Sequence, residues 1–224
     1  MRKTYFLIVV SFFLSPSIIA QTSDVDSLYQ WFDQILGEGN QNVYNGPIYQ
    51  IRRISKTTHA YFQSDKWENA SVVIGEEVYS NIPVLFDISN NLLIAKHPDP
   101  LYTHGIAIKN VQAFTIFDKQ FVLKDGYGLS KGYYQILFQG QDYELVALRR
   151  KKDDIVSGAV IFDQKDDYFL RTKEKFQPIS TYKSLTQLLP MEKSELRQIK
   201  KQHKLKPSAK READLVKFIE LVDM

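Results

Sequence analysis

The distribution of apolar and polar residues predicts a β-hairpin near the middle of the chain. Two aromatic-rich runs, 133–138 and 143–148, flank the polar, glycine-containing stretch 139–142. Two such runs joined by a short turn are typical of antiparallel strands. Because bulky side chains occupy both alternating positions of the runs, we expect the hairpin to be covered on both faces and to lie inside a sheet.

Further short apolar runs predict a series of strands around this hairpin. Polar turns separate nearly all of them, and no convincing crossover helix lies between them, so neighbouring strands are predicted to pair antiparallel in a meander. About eight to ten strands at this spacing indicate a curved sheet, a sandwich or an open barrel, three alternatives that the pattern leaves open. The predicted strands besides the hairpin are 48–54, 70–74, 77–79, 82–87, 92–96, 105–109, 111–117, 159–163 and 168–171.

Helical periodicity occurs at the two ends of the chain. Residues 24–36 carry apolar side chains at spacings of three and four, which predicts an amphipathic helix lying against the sheet. Near the other end, 184–189 is predicted to form a helical turn that Pro190 stops, and 192–203 forms a helix. Ser208 is predicted to cap a last helix, which forms an antiparallel pair with 192–203.

These elements together predict an α+β fold. It consists of an N-terminal helix, an antiparallel β-meander in the form of a curved sheet or open barrel, and a C-terminal helical pair. The predicted organisation is a signal peptide at 1–20, a helix plus antiparallel β domain at 21–178, and a C-terminal helical hairpin at 179–224 that packs on the sheet.

The first twenty residues predict a secretory signal peptide. Arg2 and Lys3 supply a positive start, 5–14 is an apolar run, and 15–20 is a small-residue exit that would place Gln21 at the mature N-terminus. Ten apolar residues are too short to span a hydrocarbon core of about 30 Å. We therefore expect secretion across the inner membrane, with no transmembrane segment in the mature chain.

Composition excludes several classes of function. The chain has no cysteine, which excludes disulfide scaffolds, thiolate metal sites, cysteine nucleophiles and a lipid-modified cysteine. Its formal net charge of +3 includes the two basic residues of the signal peptide, so the mature chain is nearly neutral and nucleic-acid binding is not expected. From Lys183 onward, ten Lys or Arg face six Asp or Glu. This surplus is typical either of a solvated helical face or of a docking surface for an acidic partner.

One loop contains residues that could bind a metal. His97, Asp99 and His104 lie within eight residues, and imidazole and carboxylate groups are ligands for divalent metals. Pro98 and Pro100 restrict the backbone between them, and an HExxH pattern is missing, so we assign no metal ligand and no cofactor. A metal-dependent hydrolase using this loop is kept as an alternative.

No catalytic residue can be assigned from motifs. The sequence lacks GxSxG, and its adjacent acidic pairs lie in turn-like contexts. Gly126 and Gly128 precede a predicted strand rather than a helix, which is not the setting of a phosphate loop.

Aromatic residues could line a groove for a sugar or an apolar ligand, or they could belong to ordinary sheet packing. No individual ligand-binding residue is assigned. The aromatic candidates are Tyr44, Tyr49, Tyr61, Phe62, Trp67, Tyr79, Tyr127, Tyr133 and Tyr134.

Several segments resemble a known group of proteins. The segments are 44–46, 75–87 with Tyr79 and Asn81, the hairpin 132–140, and the C-terminal helices with Leu205 and Lys206. They resemble uncharacterised secreted proteins of Bacteroidetes-type bacteria over most of the mature chain. The resemblance implies a Gram-negative envelope location, in the periplasm or associated with the outer membrane. It implies no catalytic residues.

The expected function is that of a non-enzymatic secreted envelope protein that binds a partner protein or an apolar or sugar ligand. Two alternatives remain open. The first is a purely structural component of an envelope or surface assembly, and the second is the metal-dependent hydrolase based on His97, Asp99 and His104.

Overall fold

The structure, a computed structural model, describes residues 42–51, 55, 57–99, 101–156 and 159–224. The predicted signal peptide at 1–20 and the predicted helix at 24–36 lie outside the described residues. The same holds for residues 52–54 of the predicted strand 48–54.

Short strands connected by tight turns make up most of the described chain. A 3-10 helix at Asn42–Tyr44 precedes them, and helices follow. The strands are β1 (Ile48–Tyr49), β2 (Glu68–Ile74), β3 (Glu77–Asp87), β4 (Leu92–Lys96), β5 (Gly105–Ala107), β6 (Val111–Ile116), β7 (Lys119–Gly126), β8 (Leu129–Gln139), β9 (Tyr143–Leu148), β10 (Lys151–Val156), β11 (Ala159–Gln164), β12 (Asp167–Thr172) and β13 (Lys175–Ile179). The helices are α1 (Tyr182–Leu188), α2 (Lys193–Gln202) and α3 (Glu212–Val222).

In the described part of the chain, eleven strands form one antiparallel sheet. Its order is β1-β5-β4-β3-β2-β6-β7-β8-β9-β12-β13, and β10 and β11 pair separately as a two-stranded hairpin. The predicted central hairpin is confirmed as β8 and β9, where Gln135 pairs with Ala147. β7 pairs with β8 on one side and β12 pairs with β9 on the other, so the hairpin lies inside the sheet.

The predicted α+β class is wrong, because the fold is predominantly β. Strand accounts for 48% of the described residues and helix for 18%. Three strands that the apolar pattern did not predict, β7, β10 and β13, shift the balance. β10 (KKDDIV) is almost fully exposed, so its sequence carries no buried-face signal. β7 has a single buried side chain, Phe121, and β13 has two, Phe176 and Ile179, separated by exposed residues, so neither shows a continuous alternation.

The sheet curls strongly around an aromatic core. β3 and β8 are four strand spacings apart in the sheet order, which is about 19 Å in a flat sheet. The ring centroids of Phe86 on β3 and Tyr133 on β8 are nevertheless 6.1 Å apart. Phe86 also lies 4.9 Å from Phe121 on β7, and Phe121 stacks on Phe114 at 5.0 Å. Curling lets one sheet bury these rings against one another.

The three helices pack against the part of the sheet that contains β9 and β12. Leu185 of α1, Leu196 of α2 and Phe218 of α3 belong to one buried cluster with Leu145 of β9 and Leu170 of β12. Thr181 caps α1 in a reciprocal arrangement with Ser184, each side chain accepting the other residue's backbone N–H. Among the described residues, no helix is long and apolar enough to cross a membrane.

Candidate functional site

A polar groove lies on the sheet where β3, β2 and β6 run side by side. It has a volume of about 540 Å³. Ser71 on β2 pairs directly with Thr115 on β6 and contributes to the lining. The lining residues are Glu68, Asn69, Ala70, Ser71, Ser80, Asn81, Thr115, Phe117 and Asp118.

A β-bulge in β3 shapes one side of this groove. Ala70 pairs with Ile82 and Val72 with Tyr79, so Ser80 and Asn81 together oppose the single residue Ser71. Asn81 has φ 60°, the left-handed conformation that asparagine tolerates better than most residues. A bulge of this kind disrupts the ladder locally and redirects side chains. The bulge therefore turns the polar side chains of residues 80 and 81 toward the groove.

A tight turn forms the opposite side. Ile116 pairs with Lys119, which leaves Phe117 and Asp118 as a two-residue loop between β6 and β7. Both loop residues have positive φ, 50° and 56°, as in the type I′ turns that join twisted strands. Phe117 is half-buried, and its ring lies 6.2 Å from that of Phe62 in the aromatic core. One aromatic edge thus borders an otherwise polar groove.

No other described residue engages the polar side chains of the groove. Across the described ranges, the structure gives no side-chain hydrogen bond or ion pair to Glu68, Asn69, Ser71, Ser80, Asn81, Thr115 or Asp118. The groove carries two carboxylates and no Lys or Arg. Amide, hydroxyl and carboxylate groups together offer both donors and acceptors to a neutral, hydroxyl-rich ligand, while the carboxylates disfavour an anionic one.

The histidine loop between β4 and β5 brings its rings together but does not form a metal centre. The ring centroids of His97 and His104 are 6.3 Å apart, and Tyr102 lies 4.1 Å from His97. His97 Nδ1 accepts the Asp99 N–H at 3.0 Å, and Asp99 Oδ1 accepts the Leu101 N–H at 2.9 Å. One oxygen of the Asp99 carboxylate and one ring nitrogen of His97 are therefore occupied by the loop's own backbone.

Among the described residues, no group of three or more His, Asp or Glu is placed to hold a metal ion. The geometry thus gives no support to the hydrolase alternative built on His97, Asp99 and His104.

Asp87 is a buried carboxylate whose hydrogen bonds are satisfied within the protein. It is 0% exposed, its Oδ1 accepts the backbone N–H groups of Ser89 and Asn90, and its Oδ2 accepts the Asn90 side-chain amide at 2.8 Å. The Tyr49 hydroxyl also donates to Oδ2. Burial and the bond to Asp87 raise the pKa of Tyr49 above its ordinary value. The arrangement fastens β1 to the β3–β4 turn.

Lys151 is half-buried and serves a similar structural purpose. Its ammonium donates to the backbone carbonyls of His59 and Tyr61 at 2.9 and 2.8 Å. Burial lowers the pKa of Lys151, and burial together with the charge of Lys151 lowers the pKa of His59. Since both carbonyls accept from the same amine, Lys151 is placed to hold the 59–61 segment.

Most aromatic candidates belong to the core rather than to a groove. Tyr127 is 73% exposed in the β7–β8 turn. The other candidates are buried or packed against a buried cluster: Tyr61, Phe62, Tyr133 and Tyr134 are buried, and Tyr44, Tyr49, Trp67 and Tyr79 are partly buried. Phe117, which does border the groove, was not among the candidates.

Sequence reasoning missed the groove, although one signal pointed toward it. The apolar pattern breaks between the predicted strands 77–79 and 82–87, and the interruption is the bulge at Ser80 and Asn81 within a single strand, β3. Such a polar interruption in a strand indicates either a turn or a bulge. Only the pairing of β3 with β2 decides between the two.

Comparison with known proteins adds no relative: no family model matches the chain, and neither curated proteins nor solved structures give a match.

Proposed function

We propose that this chain is a non-enzymatic binding protein whose bulge-lined groove takes a neutral sugar. The observation that carries the proposal is the concentration of unengaged amide, hydroxyl and carboxylate groups in one groove of about 540 Å³. This volume lies in the range of about 300–1,000 Å³ that is typical of small-molecule sites.

The lining favours a sugar over the other ligands that the sequence left open. An apolar ligand requires predominantly apolar walls, whereas Ala70 and Phe117 are the apolar members of this lining. A protein partner is usually anchored by buried aromatic or Arg residues in complementary pockets. A sugar combines hydroxyl groups that donate and accept with an apolar ring face that packs on an aromatic side chain.

A titration with variant proteins tests the sugar site. A glycan array on the full chain selects an oligosaccharide, and calorimetry then measures its affinity. Thr115→Val removes an exposed hydroxyl, and Asn81→Gly removes an amide while retaining a residue that accepts positive φ. Each change is expected to weaken binding by roughly threefold to tenfold, because each removes one neutral hydrogen bond to the sugar.

Asn110→Gly is the matched control, because Asn110 also has positive φ, 57°, but lies outside the groove. Its affinity should equal that of the unmodified protein. Binding that is equally strong in all variants, or a glycan array without any hit, would refute the sugar site. Mass spectrometry of the sugar after incubation should find it intact, since cleavage would contradict a non-enzymatic role.

We further propose that the protein acts in a Gram-negative cell envelope, in the periplasm or associated with the outer membrane. The basis is the signal-like segment at residues 1–20 together with the resemblance to secreted bacterial proteins. Fractionation of a Gram-negative host, followed by mass spectrometry of the isolated chain, is expected to find an envelope protein beginning at Gln21. A cytosolic chain that retains residues 1–20 would contradict the proposal.

A further inference from the structure

A small basic cavity lies between α1 and α2, on a part of the molecule that does not contribute to the groove. Its volume is about 230 Å³. α1 contributes Tyr182, Lys183, Thr186 and Gln187, and α2 contributes Lys193 and Arg197. The volume is below the range of about 300–1,000 Å³ that encloses drug-sized ligands. It suits a small chemical group rather than an entire large molecule.

No described acidic residue neutralises the positive charges around the cavity. In the described part of the chain, Lys183, Lys193 and Arg197 form no ion pair, whereas Arg211 and Lys217 on and beside α3 pair with Asp214 and Glu220. No acidic side chain lines the cavity. Lys193 and Arg197 are also four residues apart on α2, a spacing at which like charges repel and weaken a helix. An anion between them would remove this repulsion.

Tyr182 adds a hydrogen-bond donor with no partner. Its hydroxyl oxygen is shielded from solvent and makes no hydrogen bond to any described residue. The ring is held in place by Phe218, at 5.7 Å between centroids, and by Lys200, whose ammonium lies 4.3 Å from the ring centre. A buried hydroxyl without a partner is unfavourable. Because water does not reach its oxygen, the Tyr182 ring must shift before an anionic oxygen in the cavity can accept from it.

We propose that this cavity binds a phosphate group. The planar guanidinium of Arg197 can donate two parallel hydrogen bonds to phosphate oxygens, and the ammonium groups of Lys183 and Lys193 add charge. Gln187 supplies a neutral donor at the same wall, whereas the Thr186 hydroxyl already donates to the Lys183 carbonyl. The site is separate from the groove and has the opposite charge, so it goes beyond the sugar-binding function. The phosphate could belong to a soluble molecule or to a phospholipid headgroup.

The experiment measures phosphate binding by the full chain in two arms. The soluble arm titrates inorganic phosphate and glycerol phosphate by calorimetry. The membrane arm measures co-sedimentation with vesicles that contain phosphatidylglycerol, with phosphatidylcholine vesicles as the uncharged reference. Binding in the soluble arm alone identifies a soluble phosphate ligand, and preferential binding to the anionic vesicles identifies a headgroup. Either result supports the proposal.

Three variants make the assignment specific. Arg197→Gln removes the guanidinium from an exposed helical position and is expected to weaken binding roughly tenfold or more. Tyr182→Phe keeps the ring and removes the hydroxyl, and it is expected to weaken binding by roughly threefold to tenfold without lowering the melting temperature. Lys210→Gln is the matched charge control at an exposed residue outside the cavity, and it should leave the affinity unchanged.

Salt provides an independent readout. Raising the salt from about 0.15 to about 1 M shortens the Debye length from about 8 to about 3 Å, so binding should weaken strongly. The proposal is overturned if no phosphate probe binds. It is also overturned if Arg197→Gln binds phosphate as well as the Lys210→Gln control does.

Discussion

Asp223 holds the turn between β8 and β9 through its side chain. Its carboxylate accepts the backbone N–H groups of Gln141, Asp142 and Tyr143 at 2.8–2.9 Å. Gly140 makes this approach feasible, because a Cβ at that position would collide with the Asp223 carboxylate. One acidic residue after α3 thus satisfies three donors of a turn some eighty residues earlier.

The pH dependence of stability tests this contact. Burial alone would raise the pKa of Asp223, but the three backbone N–H bonds outweigh it and hold the pKa below its ordinary value of 3.8. Because the folded-state pKa is lowered, the stabilisation is present above pH 3.8 and is lost as the pH falls through the folded pKa.

Asp223→Asn is therefore expected to lower the free energy of unfolding by about 1 kcal/mol at pH 7. The difference between the two proteins should shrink toward pH 3. Urea unfolding of both proteins across this range measures the effect. A difference that does not change with pH would show that the charge of the carboxylate contributes nothing.

At the scale of elements, Arg149 links α3 to the sheet. It follows β9, is 7% exposed, and spreads its guanidinium over three partners. Nε donates to Gln135 of β8 at 2.8 Å, Nη1 pairs with Asp166 at 2.6 Å, and Nη2 pairs with Glu212 of α3 at 2.7 Å. The Tyr168 hydroxyl also donates to Glu212 at 2.8 Å. This network of hydrogen bonds and ion pairs fixes the position of the helix relative to the strands.

Replacing Arg149 should be far more damaging than replacing its neighbour. Arg149→Met leaves Asp166 and Glu212 without their cation and is expected to cost about 3 kcal/mol of unfolding free energy. Arg149→Lys should recover only part of this free energy, because it restores the positive charge but not the planar guanidinium that bonds several partners at once. Denaturant unfolding with a tertiary probe measures both.

Arg150→Met is the matched control, because Arg150 pairs with Asp167 at the surface, where both side chains are more than two-fifths exposed. The expected cost there is below about 1 kcal/mol. Equal costs at positions 149 and 150 would show that the buried network does not anchor the helix.

At the scale of the whole described fold, the curl of the sheet brings distant strands into direct contact. Asn91, in the turn between β3 and β4, accepts the backbone N–H of Tyr133 on β8 at 2.7 Å. Gly132 allows this approach, since a Cβ there would lie 3.2 Å from Asn91 Oδ1. A second contact joins β10 to the segment beside β3. The Lys151 ammonium donates to the carbonyls of His59 and Tyr61, and Tyr61 pairs with Asp87 of β3.

Asn91→Gly tests the importance of this contact for the curl. Glycine accepts the positive φ of 55° at this position but removes the acceptor of the Tyr133 N–H. The expected cost is roughly 1–2 kcal/mol, with faster amide hydrogen exchange at Tyr133. Asn110→Gly, at an exposed residue with φ 57°, should change stability by less than about 0.5 kcal/mol. Unchanged exchange at Tyr133 would mean that the contact does not hold the sheet closed.

Elements with a strong local pattern could be predicted, and elements stabilised by their neighbours could not. The hairpin β8–β9 has two apolar faces and a glycine turn, so its sequence contains the whole signal. Helix α2 was predicted close to its bounds by the spacing of Leu196 and Ile199. β10 and β13 lack such a pattern, because β10 is exposed and pairs only with β11 while β13 is an edge strand. Because β10 and β13, like β7, were not predicted, the strand content was underestimated and the α+β prediction was wrong.

The candidate sites also differ in how far the sequence could predict them. His97, Asp99 and His104 are close in sequence and were easily noticed, yet the loop's own backbone occupies part of their bonding capacity. The groove combines residues from three strands and a turn: Ser71, Asn81, Thr115 and Asp118. No spacing pattern in the sequence predicts that these residues lie together.

The sequence by itself determined local features: the periodicity of the central hairpin, the helix at 192–203 and the basic surplus after Lys183. These depend on interactions between residues a few positions apart. The predicted cap at Ser208 was wrong, because α3 begins at Glu212 after Arg211. Tertiary structure alone decided the curl that buries Phe86 against Tyr133, the bulge opposite Ser71, and the cavity between α1 and α2. Each of these depends on how whole elements pair and pack, because strand register and packing, rather than local propensity, select which side chains face each other.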